Sequence, residues 1–241
     1  MLASNITRKY ICIMKKCLLP FFVLIECVLY LTFLFMDMTY MSLGAVDSSH
    51  IKYICICICV LYSSYIIISC LASFSKIIII LAATQILTLT ADTFLLLLDS
   101  NYALGVLCFC LVQTGYAVYL KSHTGRSYLF LRLSLCFVVA LMLCIVFGPD
   151  FVLLLSAYSY TQLFFNVCHS FKNRDMLTLG LVLFLLCDTC VGLSNIELYM
   201  PQTPSAFSHI IGVLIWLFYL PSQVIIVYYF TKKLSEREDN I

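Results

Sequence analysis

Apolar runs of about twenty residues alternate with short polar breaks along almost the whole of this 241-residue chain. An α-helix of ~20 apolar residues crosses the ~30 Å hydrocarbon core of a bilayer. Because backbone groups in lipid must hydrogen-bond within their own segment, such runs predict helices. We predict eight transmembrane helices, at residues 17–36, 53–73, 77–97, 102–120, 129–147, 151–170, 176–194 and 207–230.

Composition indicates the same class of protein. Apolar residues make up 63% of the chain and charged residues only 11%, which is too small a polar share for the surface of a soluble domain. A formal net charge of +2 provides no basic field for a nucleic acid. The predicted fold class is therefore all-α, a polytopic membrane protein whose partner is the lipid bilayer and not a nucleic acid.

The distribution of basic residues predicts the orientation of the bundle. With the N-terminus inside, thirteen of the fourteen lysines and arginines fall on the cytoplasmic side and only Lys52 falls outside, as the positive-inside rule requires. Both termini are therefore predicted to be cytoplasmic. The predicted organisation is a cytoplasmic segment (1–16), a transmembrane domain (17–230) and a cytoplasmic tail (231–241). These features do not distinguish the endoplasmic reticulum from the plasma membrane.

The first apolar run has a basic flank and so resembles a signal peptide. Arg8, Lys9, Lys15 and Lys16 precede it. The run nevertheless has the length of a full membrane span, and it lacks a clear small-residue cleavage site. We therefore expect a retained first helix and not a cleaved leader.

Three acidic residues fall inside the predicted spans: Glu26, Asp92 and Asp188. An ionisable residue in hydrocarbon is costly and is a functional hypothesis by default. We expect no lysine or arginine deep in any span, so these carboxyl groups should favour the protonated form, which suits a general acid. Asp92 and Asp188 lie ~22 and ~18 Å from the inner ends of their helices, so the two carboxyls could share one level.

Amides and phenols add polar stripes to three further helices. The stripes are Gln113 with Tyr116, Tyr158 with Gln162 and Asn166, and Tyr219 with Gln223. Side chains three or four residues apart share one helix face, so we expect these stripes to turn towards one interior cavity. The alternative interpretation is that they join helices through hydrogen bonds worth ~0.6–2 kcal/mol each.

Other membrane chemistries lack their motifs here. The sequence contains no H-E-x-x-H, which argues against a metalloenzyme, and no G-x-S-x-G, which argues against a serine nucleophile. Cys55, Cys57 and Cys59 are two residues apart, so they lie on different helix faces and make a poor tetrahedral metal site. The contexts of Asp92 and Asp188 lack the tyrosine and the G-x-G-D of intramembrane aspartyl proteases.

The order and spacing of the polar residues resemble the lysoplasmalogenase (YhhN-like) family of membrane proteins. The resemblance covers predicted helices three to eight, roughly residues 80–230. Its elements are Ala91-Asp92 followed by leucines, Phe109 with Gln113 and Tyr116, Tyr158-Ser159, the run from Gly180 to Asp188, and Tyr219 with Gln223. Three positions depart from the family pattern: Ala91 replaces a glycine, Cys187 a serine and Gln113 a histidine.

This resemblance implies hydrolysis of the vinyl-ether bond of lysoplasmalogens, which are lysophospholipids, without a metal or nucleotide cofactor. The products would be a fatty aldehyde and a glycerophospho-base. Two carboxyls suit such a reaction, as they do in glycosidases, and our hypothesis makes Asp92 and Asp188 the catalytic pair. The substrate-binding candidates are Gln113, Tyr116, Tyr158, Tyr219 and Gln223, with Glu26 and Asn166 as further possibilities.

Position 113 also supports an alternative. Glutamine keeps a hydrogen-bond donor and acceptor but cannot transfer a proton near neutral pH. The chain could therefore be a non-enzymatic polytopic protein, either a lipid-binding relative or a transporter. Transporters typically have helices broken by glycine and proline at mid-span, whereas only Pro20 and Pro221 lie within the predicted spans here.

Overall fold

The structure is a computed structural model. It describes residues 2–43, 48–70, 76–125, 128–195 and 205–238, and within these ranges it contains eight α-helices and no β-strand. The helices are α1 (Leu2–Leu43), α2 (Ser49–Ser69), α3 (Lys76–Asp92), α4 (Tyr102–Thr124), α5 (Leu129–Phe147), α6 (Phe151–Ser170), α7 (Met176–Ser194) and α8 (Ser205–Glu238). A π-helical turn, Thr93–Leu97, continues α3.

The helices agree closely with the predicted spans. In the described part of the chain, all eight are long and apolar enough to cross a membrane, which confirms the all-α, polytopic fold class. α5, α6 and α7 have the predicted limits. α2 begins at Ser49, four residues earlier than predicted, and the predicted residues 71–73 lie outside the described ranges.

Two helices extend well beyond their predicted spans. α1 begins at Leu2 and α8 continues to Glu238. The predicted N-terminal segment 1–16 is therefore helical from its second residue and continuous with the first span. The physical reason is that a helix can continue its backbone hydrogen bonds into water, whereas apolar composition detects only the part that needs lipid.

Local signals mark where α5 ends and where α6 and α7 begin. The Asp150 carboxylate accepts a hydrogen bond from the Leu153 amide at 2.8 Å, and Asp175 accepts one from the Thr178 amide at 3.2 Å. Such N-caps satisfy backbone donors that a helix leaves free at its start. Gly148 ends α5 with a φ of 86°, which glycine adopts without steric cost.

The helices close into a bundle whose first and last members are neighbours. α2 packs beside α3, α3 beside α4, α4 beside α6, α6 beside α7, and α7 beside α8. α8 also packs against α1, α2 and α3, whereas α5 packs against α6 at the periphery. The helices that carry the predicted polar residues therefore belong to one ring.

A glycine allows α7 and α8 to approach each other closely. A Cβ atom at Gly180 would lie 2.8 Å from Cγ1 of Ile226 and 3.3 Å from Cγ2 of Ile225, and the shorter distance is well inside van der Waals contact. The missing side chain lets the helix of Asp188 pack directly on the helix of Tyr219.

Large apolar side chains cover the outside of the bundle. On α5, Phe130, Phe137 and Ile145 are 86%, 68% and 71% exposed. An exposed apolar surface of this kind marks a protein that contacts lipid or a partner. Together with the lengths of the helices, it indicates a multi-pass membrane protein.

Candidate functional site

α3 changes its geometry at one of the predicted catalytic residues. Asp92 is the last residue of the α-helical part and is only 5% exposed, and the π-helical turn follows directly. A π turn widens the helix by one residue and is frequent at functional sites. The hydroxyl of Tyr53 on α2 lies 2.9 Å from Oγ1 of Thr93 and holds the start of this turn. The backbone beside the Asp92 carboxyl is thereby fixed to a neighbouring helix.

A hydrogen bond across the bundle joins α3 to α8 at this point. The Tyr219 hydroxyl donates to Oδ2 of Asp92 over 2.7 Å, and both side chains are buried. Three rings contact the Tyr219 ring edge to face: the centroids of Phe109, Phe184 and Trp216 lie 6.3, 5.8 and 5.2 Å away. Such contacts restrain the ring, so its hydroxyl has a defined direction towards Asp92.

The second predicted carboxyl, Asp188, lies on α7. It is half-buried and lies within electrostatic range of Tyr219. Asp188 makes no hydrogen bond or ion pair with any described residue, Asp92 included. Of the two aspartates, Asp92 is therefore the one hydrogen-bonded to Tyr219 among the described residues.

Glu26, on α1, contacts a cysteine of α2. Its side chain is 2% exposed, and the Cys59 thiol donates to its Oε1 over 3.6 Å. Oε2 of Glu26 has no hydrogen-bond partner in the described part of the chain. Glu26 therefore makes no hydrogen bond to Asp92, Asp188 or Tyr219 among the described residues.

A buried arginine organises the predicted amides of α4 and α6. Nη1 of Arg132 donates to Oε1 of Gln162 and to Oδ1 of Asn166, both at 2.9 Å. The Asn166 amide donates in turn to Gln113, over 2.9 Å to its carbonyl oxygen and 3.3 Å to Oε1. Gln113 and Asn166 therefore join the Arg132 network and not the hydrogen bond of Asp92.

Arg132 is a buried charged residue that the sequence-based candidates omit. It lies in the first turn of α5 and not deep in the span, yet its side chain is only 3% exposed. Its place in the first turn predicts a side chain that reaches the cytoplasmic interface. The side chain instead points between helices, because amides on α6 provide hydrogen-bond acceptors there. Helix–helix packing decides this direction, and the sequence alone does not show it.

Three glutamines of the bundle are buried with unpaired polar atoms. Gln85, Gln113 and Gln223, on α3, α4 and α8, are each 2% exposed or less. Nε2 of Gln85, Nε2 of Gln113 and Oε1 of Gln223 have no hydrogen-bond partner among the described residues. Since buried polar atoms are normally paired, these glutamines retain capacity to bind water or a polar ligand.

One of these three glutamines, Gln85, is missing from the sequence-based candidates. Gln85 precedes Asp92 by seven residues, and Thr88 lies between them at four residues from Asp92. This spacing puts all three side chains on one face of α3, and it is the signal that could have identified them.

The other two predicted tyrosines make helix–helix contacts. Tyr116 is buried and its ring lies 6.2 Å from that of Phe230, but its hydroxyl has no hydrogen-bond partner among the described residues. The Tyr158 hydroxyl lies 3.1 Å from Oγ1 of Thr114. The hydrogen bond favours the structural interpretation for Tyr158, whereas the Tyr116 hydroxyl keeps capacity to bind a ligand.

An ion pair between α1 and α2 was also missed. Nζ of Lys52 lies 2.8 Å from Oδ2 of Asp37, and the ammonium lies 5.3 Å from the Trp216 ring centroid. Asp37 follows the first predicted span by one residue and Lys52 precedes the second by one, so both were assigned to a loop. Opposite charges at the facing ends of consecutive helices are the signal that could have identified the pair.

The candidate site therefore contains a carboxyl held by a phenol and a second carboxyl within electrostatic range of that phenol. Such groups can donate and accept protons in surroundings of low polarity. Comparison with known proteins finds no family model, no curated protein and no solved structure that matches this chain.

Proposed function

We propose that this protein is a lysoplasmalogenase-like hydrolase, which cleaves the vinyl-ether bond of an alkenyl lysophospholipid. The observation that carries the proposal is the buried Asp92 carboxyl, which accepts a hydrogen bond from Tyr219 at 2.7 Å. Asp188 supplies a second carboxyl close to the same phenol. Both aspartates lie in the sequence motifs that resemble the YhhN-like family.

The proposed reaction begins with protonation of the β-carbon of the vinyl ether by one carboxylic acid. An oxocarbenium ion results, and the other carboxyl stabilises it or takes a proton from the water that attacks it. Addition of water gives a hemiacetal, which breaks its bond to the glycerol oxygen. The products are a fatty aldehyde and a glycerophospho-base, and the proton returns to the carboxyl pair. Either Asp92 or Asp188 can serve as the acid, since both are carboxyls of the proposed site.

The surroundings of the two carboxyls suit an amphiphilic substrate. Phe109, Phe184 and Trp216 provide an apolar wall around Tyr219, which an alkenyl chain from the bilayer can contact. The unpaired amide groups of Gln85, Gln113 and Gln223 can bind the glycerol hydroxyl or an attacking water. Their free donors and acceptors would then be paired, as buried polar groups require.

The test is release of fatty aldehyde by the purified full-length protein in detergent. Alkenyl lysophosphatidylethanolamine and alkenyl lysophosphatidylcholine are both supplied, over a range of pH. Asp92→Asn and Asp188→Asn should each lower the rate by about 100-fold or more, the usual contribution of general acid–base catalysis. Asp150→Asn is the matched control, because this exposed residue caps α6 and asparagine caps a helix equally well.

The outcomes separate the hydrolase from its alternatives. Activity that both site variants abolish, and that Asp150→Asn keeps, supports the proposal. Absence of release by folded native protein with both head groups rejects it. If Gln113→His raises the rate, glutamine at this position limits an existing hydrolase.

A second candidate function is non-enzymatic lipid binding. The observation that favours it is the position of Gln113, which is tied to Asn166 in the Arg132 network and replaces the histidine of the family pattern. On this hypothesis the native protein binds alkenyl lysophospholipid without consuming it. Binding measured on the same preparation that shows no aldehyde release would support this candidate.

A further inference from the structure

Arg132 is an unusual residue for its helix. All of α5 is described, and Arg132 is the one buried residue among the nineteen. The rest of the helix faces outwards or is partly covered. Burying an arginine costs free energy unless the charge is compensated. The groups around the guanidinium therefore determine how large this cost is.

The neighbours of the guanidinium satisfy only part of it. Nη1 makes both hydrogen bonds, to the amide oxygens of Gln162 and Asn166, and these oxygens are neutral. Nε is buried without a hydrogen-bond partner in the described part of the chain. No carboxylate among the described residues forms an ion pair with Arg132. The charge is therefore oriented by amides but not neutralised by them.

The free edge of the guanidinium has a specific shape. Nε is the guanidinium nitrogen that is buried without a partner among the described residues, and both hydrogen bonds shown for Arg132 come from Nη1. Nε and Nη2 form the edge that binds phosphate or carboxylate through two parallel bonds. The Phe165 ring centroid lies 5.4 Å from Cζ of Arg132. Contact with the flat face of the guanidinium restrains its orientation and leaves the edge available.

A second cation lies in the same region as Arg132. Exposed Lys172 lies just beyond the inner end of α6, and both Lys172 and Arg132 act electrostatically on His169. The side chains of Tyr158 and Cys168 also lie within electrostatic range of the guanidinium. An anion at this place would meet complementary charge.

We propose that Arg132 forms a binding site for the phosphate group of a lipid or of a soluble phosphate, at the cytoplasmic side of the bundle. Arg132 is three residues from the start of α5, which is ~5 Å of helix and corresponds to the level of lipid head groups. α5 lies at the edge of the bundle, so a lipid can reach the site sideways along its exposed apolar face.

This phosphate site is distinct from the proposed catalytic site. Asp92 is sixteen residues from the start of α3, or ~24 Å from the inner end, whereas Arg132 is ~5 Å from the inner end of its own helix. Only a glycerol unit separates the phosphate from the vinyl ether in a lysoplasmalogen. One substrate molecule cannot span both sites, so the phosphate site binds a second molecule and does not depend on hydrolase activity.

The test is binding of dioleoyl phosphatidic acid to the full-length protein, measured by native mass spectrometry. Dioleoylglycerol is the matched lipid, because it has the same acyl chains and lacks only the phosphate. Phosphatidic acid should bind saturably and dioleoylglycerol should not. Arg132→Lys keeps the charge but removes the two-nitrogen edge, and it should weaken binding about tenfold or more, the value of one charge-assisted hydrogen bond.

Lys121→Gln is the control for general attraction of an anion. It removes one exposed positive charge from the inner end of α4, and it should change the affinity less than about twofold, since exposed charges are screened. An equal loss in Lys121→Gln and Arg132→Lys would overturn the proposal. Unchanged binding by Arg132→Lys, or equal binding of dioleoylglycerol, would overturn it as well.

Two further measurements complete the test. Inorganic phosphate that displaces phosphatidic acid identifies a soluble phosphate as an occupant, and failure to displace it identifies the lipid head group. If Arg132→Lys does not fold, a photoactivatable phosphatidic acid replaces the variant. Cross-links to peptides of α5 and α6 in the native protein support the site, and cross-links confined to other helices reject it.

Discussion

The hydrogen bond between Tyr219 and Asp92 should make a measurable contribution to the free energy of unfolding. Tyr219→Phe removes the hydroxyl and leaves the buried carboxyl of Asp92 without that donor. Leaving a buried polar group unpaired costs ~1–3 kcal/mol, and we expect a loss of this size in the free energy of unfolding. Asp92→Leu, which is similar in shape but apolar, should cost a similar amount because it leaves the Tyr219 hydroxyl unpaired.

The double variant makes the prediction specific. When both partners become apolar, neither leaves an unpaired group, and the change can be nearly neutral. Tyr219→Phe with Asp92→Leu should therefore cost much less than the two single changes together. The coupling free energy should reach ~1.5–3 kcal/mol if the carboxylate is ionised and ~0.5–1.5 kcal/mol if it is protonated. The size of the coupling thus reports the charge state of Asp92 in the folded protein.

The assay uses a probe that is already in place. The chain has one tryptophan, Trp216, whose ring lies 5.2 Å from that of Tyr219. Its fluorescence can follow reversible unfolding in mixed micelles. The matched control is Tyr229→Phe, also on α8, whose hydroxyl pairs with Tyr119 at 2.9 Å.

The control sets the criterion for refutation. Tyr229 is ten residues from Tyr219 along α8, or ~15 Å, and sites this far apart usually add within ~0.5 kcal/mol. Tyr229→Phe should therefore show no coupling to Asp92→Leu beyond that limit. A coupling below ~0.5 kcal/mol for Tyr219→Phe and Asp92→Leu would show that the hydrogen bond does not stabilise the folded protein. Tyr219 would then not be held against Asp92.

Two further variants test the packing around the site. Gly180→Ala places a Cβ 2.8 Å from Cγ1 of Ile226 and should destabilise the protein by about 1–2 kcal/mol. In an Ile226→Ala background the same change should cost nothing measurable, and an equal cost there would contradict the steric explanation. Lys52→Met removes the cation of the largely buried Asp37 and leaves it the Ser48 hydroxyl as a donor, and it should cost ~3–5 kcal/mol in thermal unfolding. Adding Asp37→Asn should recover most of that loss, and failure to recover it would show that the cost has another origin.

Local composition predicted the helices because the free energy of placing a segment in lipid is a sum over that segment. α5, α6 and α7 have the predicted limits, and each is bounded by polar residues that resist burial. The same reasoning fails outside the bilayer. α1 and α8 continue beyond their apolar spans, because a helix in water depends on hydrogen bonds and propensity and not on hydropathy alone.

The candidate site could be predicted only in part. Asp92 and Tyr219 were each identifiable as polar residues in an apolar span, but they are 127 residues apart, and no local pattern pairs them. The grouping of Asp188 with Asp92 remains indirect, through Tyr219. Gln113 and Asn166 were expected beside the aspartates, and they bind each other and Arg132.

The sequence by itself determined that the chain is an all-α membrane protein, how its spans are divided and which residues are costly to bury. These properties follow from transfer free energies and charge counts, which are additive along the chain. Only the tertiary structure decided that the Arg132 side chain points between helices, that the Tyr219 hydroxyl donates to Asp92 and that Gln85 is buried with an unpaired amide nitrogen. These outcomes depend on which helix faces meet, and that is a property of the packed bundle and not of any one segment.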